Sequence, residues 1–542
     1  MWSCNPTPAG RRFGVWAAAL VVAAALLKAD TADNGRLLIE AVKAGNRAAV
    51  AELLTERGRV NTAEADGTTP LHWAVRRDDL AMAQQLIRAG ADPKAANRYG
   101  VQPVMLAAVN GSAAVLELLL AAGADANASL PDGGETVLMT AARTGQPAAV
   151  KVLLAHGAQV NAHEREYGET PLIWAAEEDR AEAVALLVDA GAEIDGRSAA
   201  SKFSREKLGQ SVLPKGSWTP LMYAARQGSI GAARTLADKG ASLNVTAPDG
   251  ATALVLAIIN THYDLAAMLL EKGADPNVAD VTGMAALYAA VDMNTLPWAH
   301  GRAAPKFRDR LDGLGMIRTL LDYGAEVDAR LIAPKPQRQH TSGDTNLGVG
   351  ATPLMRATKA GDVPVMRLLL DYGAAADAKL KDGTNLLMIA AGMGWRGGFD
   401  TFRDPGTESG AIEAIKFCLA LGFDINGTND KKQTPLHGAI GRGPRVVEFL
   451  VTSGADLQAR DNTNRTPLES LLGGGRRGRA AAPGAAAQQN DRLLPESTLQ
   501  TIALLQRLAA ERGLPATPAP AGTETKPAVP PAAPPPAPSG AR

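Results

Sequence analysis

Histidine and cysteine have the widest chemistry of any side chains, and this chain holds few: 7 His and 2 Cys in 542 residues. His163 opens "HEREY", which starts like a helical zinc site. Such a site needs a second imidazole four residues on, on the same helix face, and Tyr167 stands there instead. No Cys/His spacing elsewhere suits zinc. Glu177, Glu178 and Asp179 could exchange protons as a carboxylate cluster, but they fall at a helix end facing a turn, where a solvated polar edge suffices. "DNTNRTPLE" from Asp461 lacks the Gly and the terminal spacing of a calcium loop. There is no GxSxG and no phosphate-cradling Gly loop followed by Lys. The sequence therefore offers no catalytic residue, no metal-ligand set and no cofactor site. Two histidines, His72 and His437, share one tetrapeptide, "TPLH", at widely separated places.

That recurrence leads to the elements that hold these residues. Units aligned on Thr69 recur at Gln102, Thr136, Thr170, Thr219, Thr252, Ala285, Thr352, Asn385, Thr434 and Thr466. The steps are 33, 34, 34, 49, 33, 33, 67, 33, 49 and 32 residues, so the longer ones are one period plus an insertion. A second marker keeps the same register. Gly90, Gly123, Gly157, Gly191, Gly240, Gly273, Gly324, Gly373, Gly422 and Gly454 each close an apolar helical run. Four residues before these glycines stands Leu86, Leu119, Leu153 and their equivalents, and Cys418 occupies that slot once. Cys418 is thus expected to be a core residue standing in for Leu, not a nucleophile.

One unit can be read physically. Thr69 caps the first free N–H groups of a helix, and Pro70 fits its first turn, where a missing N–H costs nothing. The spacing predicts a short helix to about Arg77, then a second over Leu80 to Ala89 ended by Gly90 in the left-handed conformation. "ADPKAANRYG" then reads as a hairpin-like connector. Helices this short do not survive alone, so each must bury its apolar side on the neighbouring unit.

"TPLH" at Thr69 and Thr434, "TPLIWAA" at Thr170, "TPLMYAA" at Thr219 and "GADPN" at Gly273 resemble the ankyrin repeat. The resemblance covers roughly residues 33–514 in about twelve units. It implies an all-α solenoid of stacked helix-turn-helix units with hairpin-like connectors, His72 and His437 in packing and local hydrogen bonding, and a protein partner held in a concave groove. Carrying the groove positions onto this chain gives Arg76, Arg77, Arg98, Tyr99, Asn110, Arg143, Glu166, Tyr167, Trp218, Arg226 and Gln227 as partner-binding residues. Tyr99, Tyr167 and Trp218 have no evident core slot, whereas Trp73, Trp174 and Tyr223 share a slot with Leu106 and Leu256 and are expected to pack.

Bulk properties narrow the rest. Lys+Arg and Asp+Glu are both 56, which removes the electrostatic case for nucleic acid or an anionic membrane as ligand. Arg11 and Arg12, an apolar run over 13–27 and small residues after Lys28 have the zones of a cleaved signal peptide over 1–29. A retained membrane anchor at 13–27 is the alternative reading of the same run. The expectation is therefore a bacterial, exported protein, periplasmic or secreted, monomeric, and a binding scaffold rather than an enzyme. An enzyme or accessory subunit using the inserted segments, or a membrane-anchored scaffold, are the alternatives. Insertions are expected near 200–216, 294–312, 333–350, 396–410 and 473–496, and 515–542 as a Pro/Ala-rich disordered tail.

Overall fold

A computed structural model describes residues 35–55, 60–200, 216–295, 309–333, 347–394, 407–473 and 496–514. The stretches expected to be a signal peptide over 1–29 and a tail over 515–542, and most of each expected insertion, lie outside these residues. The described chain divides into two compact units, one running to Arg356 with Arg367–Ala374, the other formed by Ala357–Met366 and the chain from Ala375 onward.

In the first unit, capping threonines set the pattern. Thr69, Thr136, Thr170, Thr219 and Thr252 are extended, and each Oγ1 accepts the backbone N–H three residues on, at 3.2–3.4 Å. Pro70, Pro171 and Pro220 stand at the first helical position. The resulting first helices are Pro70–Arg76, Pro103–Asn110, Val137–Thr144, Pro171–Glu177, Pro220–Gln227 and Ala253–Ile259. A left-handed residue turns each into its second helix: Asp78, Gly111, Gly145, Asp179, Gly228 and Thr261 all have φ between 55° and 81°. The second helices include Leu80–Arg88, Ala113–Ala121, Pro147–Ala155, Ala181–Asp189 and Ile230–Asp238, nine residues each.

First helices lie beside first helices and second beside second, repeat after repeat. The predicted leucine slot is their seam: Leu86, Leu119, Leu153, Leu187, Leu236, Leu269, Leu320 and Leu369 are all fully buried. Each such side chain contributes about 1.5–3 kcal/mol of burial, which is what an isolated nine-residue helix lacks. Among the described residues no strand forms; the bridges Ser129–Thr136 and Ala200–Gly216 stand alone. The connectors are hairpin-like turns whose tips are linked in series by single main-chain bonds, Arg98 N–H to Asp66 C=O at 2.8 Å and Arg165 N–H to Gly133 C=O at 2.8 Å.

Two further seams join the repeats. At one edge, the last carbonyls of each first helix have no partner within the helix. The next repeat supplies it: Arg77 donates to Lys43 C=O at 2.9 Å, Asn110 to Val75 at 2.7 Å, Arg180 to Arg143 at 2.9 Å, Ser229 to Glu177 at 2.8 Å and His262 to Arg226 at 3.2 Å. At the other edge an asparagine reaches forward. Asn127 donates to Gly157 C=O at 3.1 Å and accepts Gln159 N–H at 2.7 Å, and Asn61, Asn161 and Asn277 repeat the pair of bonds.

The second unit uses the same grammar. Asn385 caps Leu386–Ala391 in place of Thr, with Met388 N–H at 3.0 Å from its Oδ1. Asn426 bridges to Gly454 and Asp456 as the other asparagines do. Cys418 and Leu450 fill the leucine slot, fully buried. The 16-residue helix Glu496–Glu511 covers Pro444–Thr452, burying Thr501, Ile502, Leu505, Leu508 and Ala509 along one face.

Candidate functional site

The capping residue of each first helix fixes which later positions face outward. Four residues on stand Trp73, Leu106, Thr140, Trp174, Tyr223 and Leu256; seven on, Arg76, Val109, Arg143, Glu177, Arg226 and Ile259. Trp73 and Trp174 are half-buried, not enclosed, whereas Tyr223 is buried. The two indoles are thus less enclosed than Tyr223 in the same slot.

Each indole has a cation against it. Lys43 Nζ lies 4.8 Å and the Arg76 guanidinium 5.3 Å from the Trp73 ring centre, and the Trp73 indole N–H donates to Glu64 at 2.8 Å. Arg143 lies 4.8 Å from the Trp174 ring, and Arg226 5.6 Å from Trp218. Trp218 meets Tyr223 edge-on with ring centres 5.6 Å apart. Aromatic faces attract guanidinium through their quadrupole, so these pairs hold each other's orientation.

The other sequence-derived positions separate into two sets. Arg98 and Tyr99 meet at a connector tip, where the guanidinium donates to the phenol at 2.7 Å and Tyr99 is 59% exposed. Glu166 and Tyr167 form the tip two repeats on. Buried Glu164 builds it by accepting the N–H groups of Glu166, Tyr167 and Glu169, and Tyr167 is 51% exposed. Its hydrogen bond with Glu166 pushes the Tyr167 hydroxyl above its ordinary pKa. Arg77 and Asn110, by contrast, are the carbonyl staples described above. Gln227 donates to Glu177 at 2.6 Å. Sequence reasoning missed the supporting Lys43, Glu64, Glu135 and Glu169. The available signal was their position beside each tryptophan slot.

The groups considered for catalysis have structural work. His72 Nδ1 accepts from Thr69 N–H at 3.2 Å, and its Nε2 donates to Val101 C=O in the next connector at 3.0 Å. His437 repeats this with Thr434 and Arg465. Burial pushes both imidazoles below their ordinary pKa. Burial pushes the Cys418 thiol up to about 12, far from a thiolate. Asp179 caps the second helix of the next repeat by accepting Ala232 N–H at 2.7 Å. Asp461 accepts from Thr463 N–H and Oγ1–H and from Arg465 N–H, all within its own turn. Burial opposes ionisation of Asp461, but these bonds prevail and hold its carboxyl below the usual range. Among the described residues no three His, Cys, Asp or Glu side chains are grouped to hold a metal ion, and no helix is long and apolar enough to cross a membrane.

Comparison with known proteins bears on family and origin. A model of ankyrin repeats in three copies matches residues 21–97, 38–130, 104–198 and 204–280, and a single ankyrin repeat model matches 349–382 and 431–462. A 44-residue stretch is 54% identical to the Ankyrin repeat and LEM domain-containing protein 1 homolog of Caenorhabditis elegans, covering 8% of this chain and 6% of that protein's length. The human ASB11 ankyrin repeat domain aligns at 27% identity with a TM-score of 0.37, over 44% of this chain and 98% of that domain. The worm relative corrects the expectation of a bacterial, exported protein in the periplasm or medium. The Caenorhabditis elegans relative is an animal protein and does not point to bacterial or exported origin. The apolar run at 13–27 that suggested export is a short compositional signal and lies outside the described residues. With family matches over more than half its length and stacked helix pairs throughout both described units, this chain belongs to the ankyrin-repeat proteins.

Proposed function

We propose that the face formed by the first helices and connector tips between Lys43 and Arg226 holds a segment of a partner protein. The coarse statement rests on family membership: the chain is an ankyrin-repeat interaction module, not an enzyme. The finer one is carried by a single observation. Trp73, Trp174 and Trp218 keep a partly exposed surface on this face, each under a cation, although a neighbouring slot such as Leu256 shows that the framework can bury an apolar side chain there. Exposed indole, phenol and guanidinium are the groups that most often anchor protein interfaces. The proposed contact residues are Arg76, Arg98, Tyr99, Arg143, Glu166, Tyr167, Trp218 and Arg226, with Trp73 and Trp174 added. Arg77, Asn110 and Gln227 are omitted because they are engaged within the stack.

Affinity capture with the wild type and with the triple variant Tyr99→Ala/Tyr167→Ala/Trp218→Ala tests the assignment. The variant should keep its far-ultraviolet circular dichroism and bind the captured partner at least about tenfold more weakly, since anchor truncations commonly cost about 2 kcal/mol each. Equal recovery by a folded variant would place the contact elsewhere.

A further inference from the structure

The proposed face carries a charge pattern that the framework only partly neutralises. On five successive first helices the seventh residue after the capping position is Arg76, Val109, Arg143, Glu177 and Arg226. A guanidinium thus stands on every second helix. All three lie against an indole, at 5.3, 4.8 and 5.6 Å from the ring centre. Stacking fixes the plane of a guanidinium and leaves its N–H edge facing outward.

The nearby carboxylates are already engaged. Glu64 binds Lys43 at 2.7 Å and the Trp73 indole at 2.8 Å. Glu135 accepts the Thr140 hydroxyl at 2.9 Å and forms a long ion pair with Arg143 at 3.7 Å, the one internal counter-charge among the three, with Arg143 still 48% exposed. Glu177 takes Gln227 at 2.6 Å. Glu169 is half-buried, and burial pushes its carboxyl above the usual range, which weakens it as a counter-charge. Among the described residues no carboxylate lies within ion-pair distance of Arg76 or Arg226.

We infer that the three stacked guanidiniums bind carboxylates of an acidic, extended partner segment that crosses the first helices. This deepens the reading above and rests on it. Packed helices lie about 8–10 Å apart, so alternate helices are about 16–20 Å apart. An extended chain advances about 3.3 Å per residue, which sets Asp or Glu side chains about five or six residues apart. Planar guanidinium can take a carboxylate through two parallel bonds, so the match is geometric as well as electrostatic.

The test uses the full chain and synthetic Gly/Ser peptides bearing glutamates, titrated by fluorescence anisotropy. One peptide spaces its glutamates about six residues apart, as the geometry requires. A second carries the same number in one cluster, a third has Lys in their place, and an oligo(U) RNA stands for a nucleic-acid ligand. The spaced peptide should bind at least about tenfold tighter than the clustered one, and the Lys peptide should not bind. Each of Arg76→Gln, Arg143→Gln and Arg226→Gln should weaken binding about three- to tenfold, the range for loss of one charge-assisted bond at a partly exposed site. Arg143→Lys should recover only part of that loss. Equal binding of spaced and clustered peptides, tighter binding of RNA, or unchanged binding by the triple Arg→Gln variant would overturn the inference; the first two comparisons need no variant at all. If the captured partner is lost with the aromatic triple variant but kept by the arginine one, the face stands and its acidic ligand does not.

Discussion

Both ring nitrogens of His72 are committed: one accepts from Thr69 and the other donates to Val101. The ring must be neutral for this, because a protonated Nδ1 could not accept. Burial holds the folded pKa of His72 and His437 down, and of His262 also. The unfolded chain therefore takes up these protons first as pH falls. The associated stability is complete above the ordinary imidazole value of about 6.5 and is lost as pH drops through it toward the folded pKa. Urea midpoints should be lower at pH 5.5 than at 7.5, with a smaller difference in His72→Ala/His437→Ala. At pH 7.5 His72→Ala alone should cost about 2 kcal/mol, since a buried N–H and a buried C=O both lose their partner. The sequence already assigned His72, His437 and Cys418 to the framework, because a residue in a recurring slot needs no special chemistry. It could not separate Arg77 and Asn110 from Arg76 and Arg143. Neighbouring positions on one helix differ in whether they reach back to the previous repeat, and one chain read linearly does not display that neighbour.

Helix starts were the most legible elements, since a Thr-Pro cap is local chemistry. Where the cap is absent the structure shows the cost. Gln102 precedes Pro103 in the capping position but makes no side-chain bond to the helix, and its Oε1 is buried without a partner. Gln102→Thr should add a side-chain acceptor for Met105 N–H, which now reaches only the Gln102 C=O at 3.0 Å, and remove the buried orphan. We expect a gain of about 1 kcal/mol, read as a higher urea midpoint with unchanged slope. Helix ends were equally readable from glycine. Gly123 has φ of 99°, and a Cβ added there would meet nothing within 4 Å, so its identity follows from backbone conformation alone. The asparagine edge was less visible. Asn127, Asn161, Asn277 and Asn426 each stand four residues after the helix-ending glycine, but Lys94 and Asp195 interrupt the series in sequence. The partial exposure of Trp73 and Trp174 was not legible for a related reason. Slot identity predicts where a side chain starts, whereas its cover depends on what the adjoining repeat places over it.

At the scale of the molecule, a period of 33–34 residues is the smallest piece that can be removed without mismatching every seam. Deleting residues 136–169, one full period, should leave a cooperatively unfolding array with the same helicity per residue. Deleting half as much should abolish cooperativity, because first helices would then face second helices; circular dichroism during urea titration distinguishes the two. The repeat architecture was therefore fully present in the spacing, while chain origin was not, since an N-terminal apolar run has no bearing on how repeats stack. The two side-chain seams have opposite polarity. Along one, a later repeat answers an earlier one; along the other, Asn61, Asn127 and their equivalents answer forward. Where a joint carries both, as with Asn61 and Arg77 or with Asn161 and Arg180, a crack must tear the two margins together from whichever side it opens.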